Sequence, residues 1–151
     1  MTIFRTTVLA AALIGASAFA TAGIAGDTPS TPGAKVYFVN LKDGATVSGP
    51  VKVVFGLSGM GVAPAGIEKE GTGHHHLFLN RPELGKGPDG KDEFEANIPA
   101  DDNHKHYGKG QTETTLTLKP GKHTLQLVLG DQNHIPHNPP VVSEVITITV
   151  K

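Results

Sequence analysis

From Lys35 onward, apolar residues recur at every second position, the period of strands that bury one face. Val36 and Phe38 interleave with Tyr37, Val39 and Leu41, which predicts a strand buried on both sides. Asp43-Gly44 then reads as a turn. Val51, Val53, Phe55 and Leu57 share a face in the next strand, and His75, Leu77 and Leu79 share one in a third. Thr112, Thr114, Leu116 and Leu118 mark a fourth. Pro120-Gly121 predicts a tight turn, so that the following strand, with Leu125, Leu127 and Leu129 on one side, pairs back as a hairpin. Ile146, Ile148 and Val150 alternate with Thr147 and Thr149 in the last. No ten-residue stretch of this region carries a helical period. The expected fold is all-β: a small antiparallel β-sandwich, immunoglobulin-like in architecture, with long loops. The Cys and Trp of antibody domains are absent.

Three irregular segments interrupt the strands: Gly59 to Gly73, Arg81 to Gly110 and Asp131 to Pro140. Loops of that length in a compact domain tend to be functional. Ahead of the strands, Val8 to Ala20 is apolar and short, with Ala18-Phe19-Ala20 as a small-x-small cleavage pattern. The expected organisation is a signal peptide over 1–22, cleaved after Ala20, Ala22 or Ala25, a flexible tether over 23–34, and one domain over 35–151. That predicts export to the periplasm or beyond, with no membrane insertion once the leader is removed, since no later stretch could span a bilayer.

The chain has no cysteine, so neither disulfide nor thiolate chemistry is available. It carries 13 Lys and Arg, including Arg5 in the leader, against 14 Asp and Glu. Near-neutral charge without a basic block argues against a nucleic-acid partner.

Histidine is the one concentrated resource. Of eight histidines, seven fall into a triplet (His74, His75, His76), an H-x-H pair (His104, His106) and an H-x-x-H pair (His134, His137). In an extended segment, residues two apart face the same way. His74 and His76 are therefore expected on one face and His75 on the other, with Leu77 and Leu79, as a core histidine with a hydrogen-bonded partner. His104 and His106 share a face if Asn103 to Tyr107 is extended. His134 and His137 sit in a turn stiffened by Pro136, Pro139 and Pro140. His123 stands in phase with its strand's leucines and is expected to be structural.

Imidazole suits zinc and copper. With no thiolate, and with Met60 the one methionine beyond Met1, the expected cofactor is copper(II) or zinc(II) rather than copper(I). The expected ligands are His74, His76, His104, His106, His134 and His137, of which at most four bind one ion. Asp101, Asp102 and Asp131 stand nearby as ligands or as acceptors that fix a tautomer. Binding is expected to weaken as pH falls through about 6.5, the ordinary imidazole value. The expected function is metal binding, delivery or sequestration without catalysis. One alternative is a structural or interaction module of the cell envelope, its histidines a hydrogen-bond network between loops, with a protein partner. Another is a metal-dependent enzyme, with Glu68, Glu70 or Glu113 as its base.

Other signals carry less. Gly85 to Lys91 fits G-x-x-x-x-G-K, but Asp92 stands where a phosphate loop needs Ser or Thr, and no helix pattern follows. The acidic run Asp89 to Glu95 lacks the alternation of a calcium loop.

Gly73-His74-His75-His76-Leu77, His104-Lys105-His106-Tyr107-Gly108-Lys109-Gly110-Gln111-Thr112-Glu113-Thr114 and Gly121-Lys122-His123-Thr124-Leu125-Gln126-Leu127 resemble a bacterial family of unknown function, DUF4399. Gly59 to Gly66, Asp131 to His137 and Pro139-Pro140 extend the likeness over most of Val36 to Val150. The resemblance implies a small exported bacterial protein with this histidine pattern, and no activity.

Overall fold

The computed structural model describes residues 26–151; the expected signal peptide lies outside them. The fold is an all-β, sandwich-like arrangement of nine strands: β1 (Lys35–Phe38), β2 (Thr46–Val47), β3 (Val51–Ser58), β4 (Gly61–Val62), β5 (Thr72–Leu79), β6 (His104–Tyr107), β7 (Glu113–Leu116), β8 (Gly121–Gly130) and β9 (Ile146–Val150). Among the described residues one 3-10 helix spans Gly90–Phe94. Among the described residues no helix is long and apolar enough to cross a membrane.

A three-stranded sheet has the order β1-β3-β7, and a six-stranded one the order β2-β9-β8-β5-β4, with β6 also paired to β5. The longer pairings are antiparallel, whereas the two-residue β2–β9 and β4–β5 pairings are parallel. Between the sheets lies the main core, where Val53 and Phe55 of β3 meet Leu77 of β5, Leu125, Leu127 and Leu129 of β8, and Ile148 of β9. Period-two alternation specifies this core directly, because each inward residue follows an outward one.

Two expectations about the strands need correction. β1 is not buried on both sides, since Tyr37 is 46% and Val39 57% exposed. β7 and β8 form no hairpin across Pro120-Gly121. β7 pairs with β3, with Leu116 opposite Val51, while β8 belongs to the large sheet. The turn is a crossover between sheets. Its Pro-Gly chemistry bends the chain but does not choose the partner, and Leu116 joins the common core from the other side.

β5 is buried along nearly its whole length because both of its faces are covered. Its inner residues His75, Leu77 and Leu79 face the core. On the outer face Phe78 joins Val128, Leu84 and Ile98 in a second, smaller core, with Phe94 against it. The long loops thus fold over the outside of the large sheet.

Residues 26–34, expected to be tether, are docked on the third loop. The Ser30 amide donates to the Asn138 carbonyl and the Asn138 amide to the Thr28 carbonyl, both at 2.9 Å. The Thr28 hydroxyl donates to Asp131 Oδ2 at 2.6 Å.

Candidate metal centre

The outer face of β5 presents His74 and His76, both fully buried, as alternation requires. β6 pairs alongside with His106 opposite His76 and His104 opposite Phe78, so the H-x-H segment is extended and both its histidines share that face. His134 arrives from the loop after β8. One nitrogen from each of His74, His76, His106 and His134 lies within 4.8 Å of every other. His74 Nε2 stands 3.0 Å from His134 Nδ1 and 2.9 Å from His76 Nε2. The His106 ring stacks on His76 at 5.1 Å between centroids and meets His134 edge-on at 4.7 Å.

These contacts do not make a satisfied hydrogen-bond network. A neutral imidazole has one N–H and one lone pair. If His74 Nε2 carries the proton, it can donate to one neighbour only. If it does not, its single lone pair must serve two donors, and the protonated Nδ1 is buried without a partner. His76 Nδ1 and His106 Nε2 are also buried and unpartnered. Four nitrogens about 2.0–2.1 Å from one ion would stand roughly 3.3 Å apart at tetrahedral corners; here two pairs stand at 2.9 and 3.0 Å and every pair within 4.8 Å.

Burial and mutual repulsion favour the neutral form of His74, His76 and His106. Desolvation, then the neighbouring His134 and His106, push the His74 pKa down to about 4, against an opposing pull from Asp131. Desolvation, then His74 and His106, push His76 down to about 2. His106 is lowered by burial and then by His134. At His74 and His76 proton competition for the lone pair therefore starts well below the pH of about 6.5 that isolated imidazole suggests.

His134 is aimed by its backbone. It adopts a left-handed φ of 66°, uncommon outside glycine. Buried Asp131 holds the turn: its Oδ1 accepts from the Asn133 amide at 2.8 Å and the Ile135 amide at 3.0 Å, and its Oδ2 from Thr28. Asp131 was expected beside the cluster as ligand or support, and both oxygens are engaged in support. The loop Ala63 to Ile67 fastens the site from above. The Ala65 amide donates to the Gly108 carbonyl next to His106, and the Gly66 amide to the Gln132 carbonyl next to His134, both at 2.9 Å.

Glycines clear the space. A Cβ on Gly130 would lie 2.8 Å from His76 Nε2, and one on Gly108 would collide with the His106 ring. The Gly108 contact is local, two residues from His106, whereas the Gly130 contact crosses from β8 to β5 and does not show in local spacing. Gly73 likewise leaves room for His137, whose Cε1 would be 2.8 Å from an added Cβ.

Two of the six expected ligands are not brought to the cluster. His104 Nε2 accepts from Arg81 Nη1 at 2.8 Å, and its Nδ1 donates to Asp101 at 2.9 Å, so neither nitrogen is available to an ion. The buried His137 faces the carbonyls of Leu129 at 3.3 Å and Thr72 at 3.1 Å, tying the turn to the sheet. Asp102 turns toward Lys105.

His75 sits in the core as expected, 5.1 Å from Phe55 between ring centroids, but neither nitrogen has a hydrogen-bond partner. Its burial lowers the pKa to about 4, opposed by the Gln111 backbone. His123 is structural, accepting from the Asn80 side chain at 2.9 Å and donating to the Lys119 carbonyl at 2.8 Å.

No curated protein and no solved structure matches the chain. The family model described as "Domain of unknown function (DUF4399)" matches residues 53–151, which include all eight histidines. The chain belongs to the DUF4399 family.

Proposed function

We propose that this protein binds one copper(II) or zinc(II) ion through His74, His76, His106 and His134, and that it holds or delivers the ion without catalysing a reaction on it. The observation that carries this reading is the convergence of four imidazole nitrogens that cannot all be satisfied by hydrogen bonds to one another. A loop-linking network, the other role considered for these histidines, pairs its nitrogens. His104 does so, with a donor on one nitrogen and an acceptor on the other, and the four do not. Four neutral ligands also fit the composition, since the chain has no thiolate to offer. The leader-like start of the sequence supports export, so the ion would be met in the periplasm or outside the cell.

The test is titration of the tag-free, metal-stripped protein with Cu(II) and Zn(II) at pH 7. The expected result is saturation near one equivalent. For copper, hyperfine coupling to several imidazole nitrogens is expected in the electron paramagnetic resonance spectrum. Absence of saturable uptake for both ions would end the proposal. Elemental analysis of protein taken from its native compartment then identifies the physiological ion.

A further inference from the structure

The same outer sheet face carries a second concavity, reached by following β5 past Phe78 toward Arg81. It is a half-open cavity of about 430 Å³, within the range of small-molecule sites. Phe78, Leu84 and Ile98, all buried, give it an apolar floor. None of the four clustered histidines lines it, so the inference stands whether or not an ion binds.

The polar groups of its inner wall are already paired. Arg81 Nη2 donates to Glu93 Oε1 at 2.5 Å in an ion pair whose side chains are only 10% and 11% exposed. Glu93 Oε2 accepts from the Gly85 amide at 2.7 Å. Arg81 also covers the Phe78 ring at 4.3 Å. His104 is occupied on both nitrogens by Asp101 and Arg81. The interior therefore favours an apolar body and provides no uncompensated cation for an anionic ligand. The rim differs. Asp89 and Asp92 also line the cavity, both exposed, and neither carboxylate makes an ion pair among the described residues. With Arg81 balanced by Glu93, these two leave the lining net negative, the exposed Lys91 between them not being part of it.

We propose that this cavity binds a small amphipathic organic cation, its apolar body against Phe78, Leu84 and Ile98 and its ammonium group at Asp89 and Asp92. An organic anion of the same shape would meet two carboxylates and no unpaired positive charge.

Three probes of equal chain length test this: hexylammonium, hexanol and hexanoate. Each is titrated into the protein in excess chelator, so that no bound ion contributes, and followed by amide chemical shifts. Hexylammonium is expected to saturate, with shifts centred on Leu84, Asp92 and Ile98, and to bind more tightly than hexanol. Hexanoate is expected to leave those amides unmoved. The double variant Asp89→Asn, Asp92→Asn, at exposed positions, is expected to weaken hexylammonium by roughly fivefold and leave hexanol unchanged. Hexanoate binding as tightly as hexylammonium would overturn the proposal. So would unchanged hexylammonium affinity in the double variant, or no saturable shift at these amides with any probe.

Discussion

Two patches on one face of the large sheet each carry a histidine of β6, His104 in one and His106 in the other, and they differ in what meets the ring nitrogens. At one end, His104 is held between Asp101 and Arg81, and Arg81 in turn by Glu93. Every nitrogen has a partner of suitable character, and the patch locks a loop to the sheet. At the other end His74, His76, His106 and His134 point nitrogens at one another, without enough protons of the right placement to pair them. Residue type and strand face are shared. Only a count of donors and acceptors separates a fastening from a site.

The sharpest way to break that contrast is to truncate one histidine from each patch. His76→Ala should reduce affinity for Cu(II) or Zn(II) by at least about 100-fold in calorimetric titration, through loss of a ligand. His104→Ala should leave affinity within about threefold while lowering the melting temperature, because Arg81 loses a partly buried acceptor. Equal effects on metal affinity would erase the distinction. Gly130→Ala probes the cleared space instead. With its Cβ 2.8 Å from His76 Nε2, it should weaken binding by about tenfold or more, with circular dichroism still reporting a β fold.

Asp131→Asn tests support from outside the ligand set. It removes the charge that accepts two amides and the Thr28 hydroxyl, and about a tenfold loss of affinity is expected, typical for groups that orient a ligand.

Acid separates the patches in another way. His74 and His76 have folded-state pKa values near 4 and 2, below the value of about 6.5 for an unfolded histidine. Between those limits the unfolded chain takes up protons that the folded chain refuses, so stability rises with pH. The metal-free protein should be fully stable above about pH 6.5 and lose stability progressively toward pH 4. Replacing His76 with Leu should flatten that dependence, as followed by urea unfolding at stepped pH. The smallest effect is expected from Thr28→Val, which should cost about 1 kcal/mol of stability and only a few-fold in affinity.

Much of this was legible in the sequence. Alternation placed His75 inward and His74 with His76 outward, and the i, i+2 spacing put His104 and His106 on one face. Spacing could not show which nitrogens were already taken. The partners of His104 and His137 include Arg81, 23 residues away, and the Thr72 carbonyl, 65 away. The same limit hid the partner of β7 and the clearance that Gly130 provides for His76, both products of strand pairing. Pro120-Gly121 announced a bend and nothing about which sheet lay beyond it.

The docking of the first described residues on the last loop has a kinetic consequence. Thr28 meets Asp131 across 103 positions, and Asp43 meets the Thr147 amide across 104. β2 gains its partner only when β9 is in place. With so much of its pairing remote in sequence, the domain belongs among the slow folders of its size, closing on the scale of milliseconds to seconds. It cannot mature progressively from its leading end as it emerges from a ribosome or a translocation pore. The Asp131 carboxylate that holds the His134 turn gains its third donor only when Thr28 reaches it across that span.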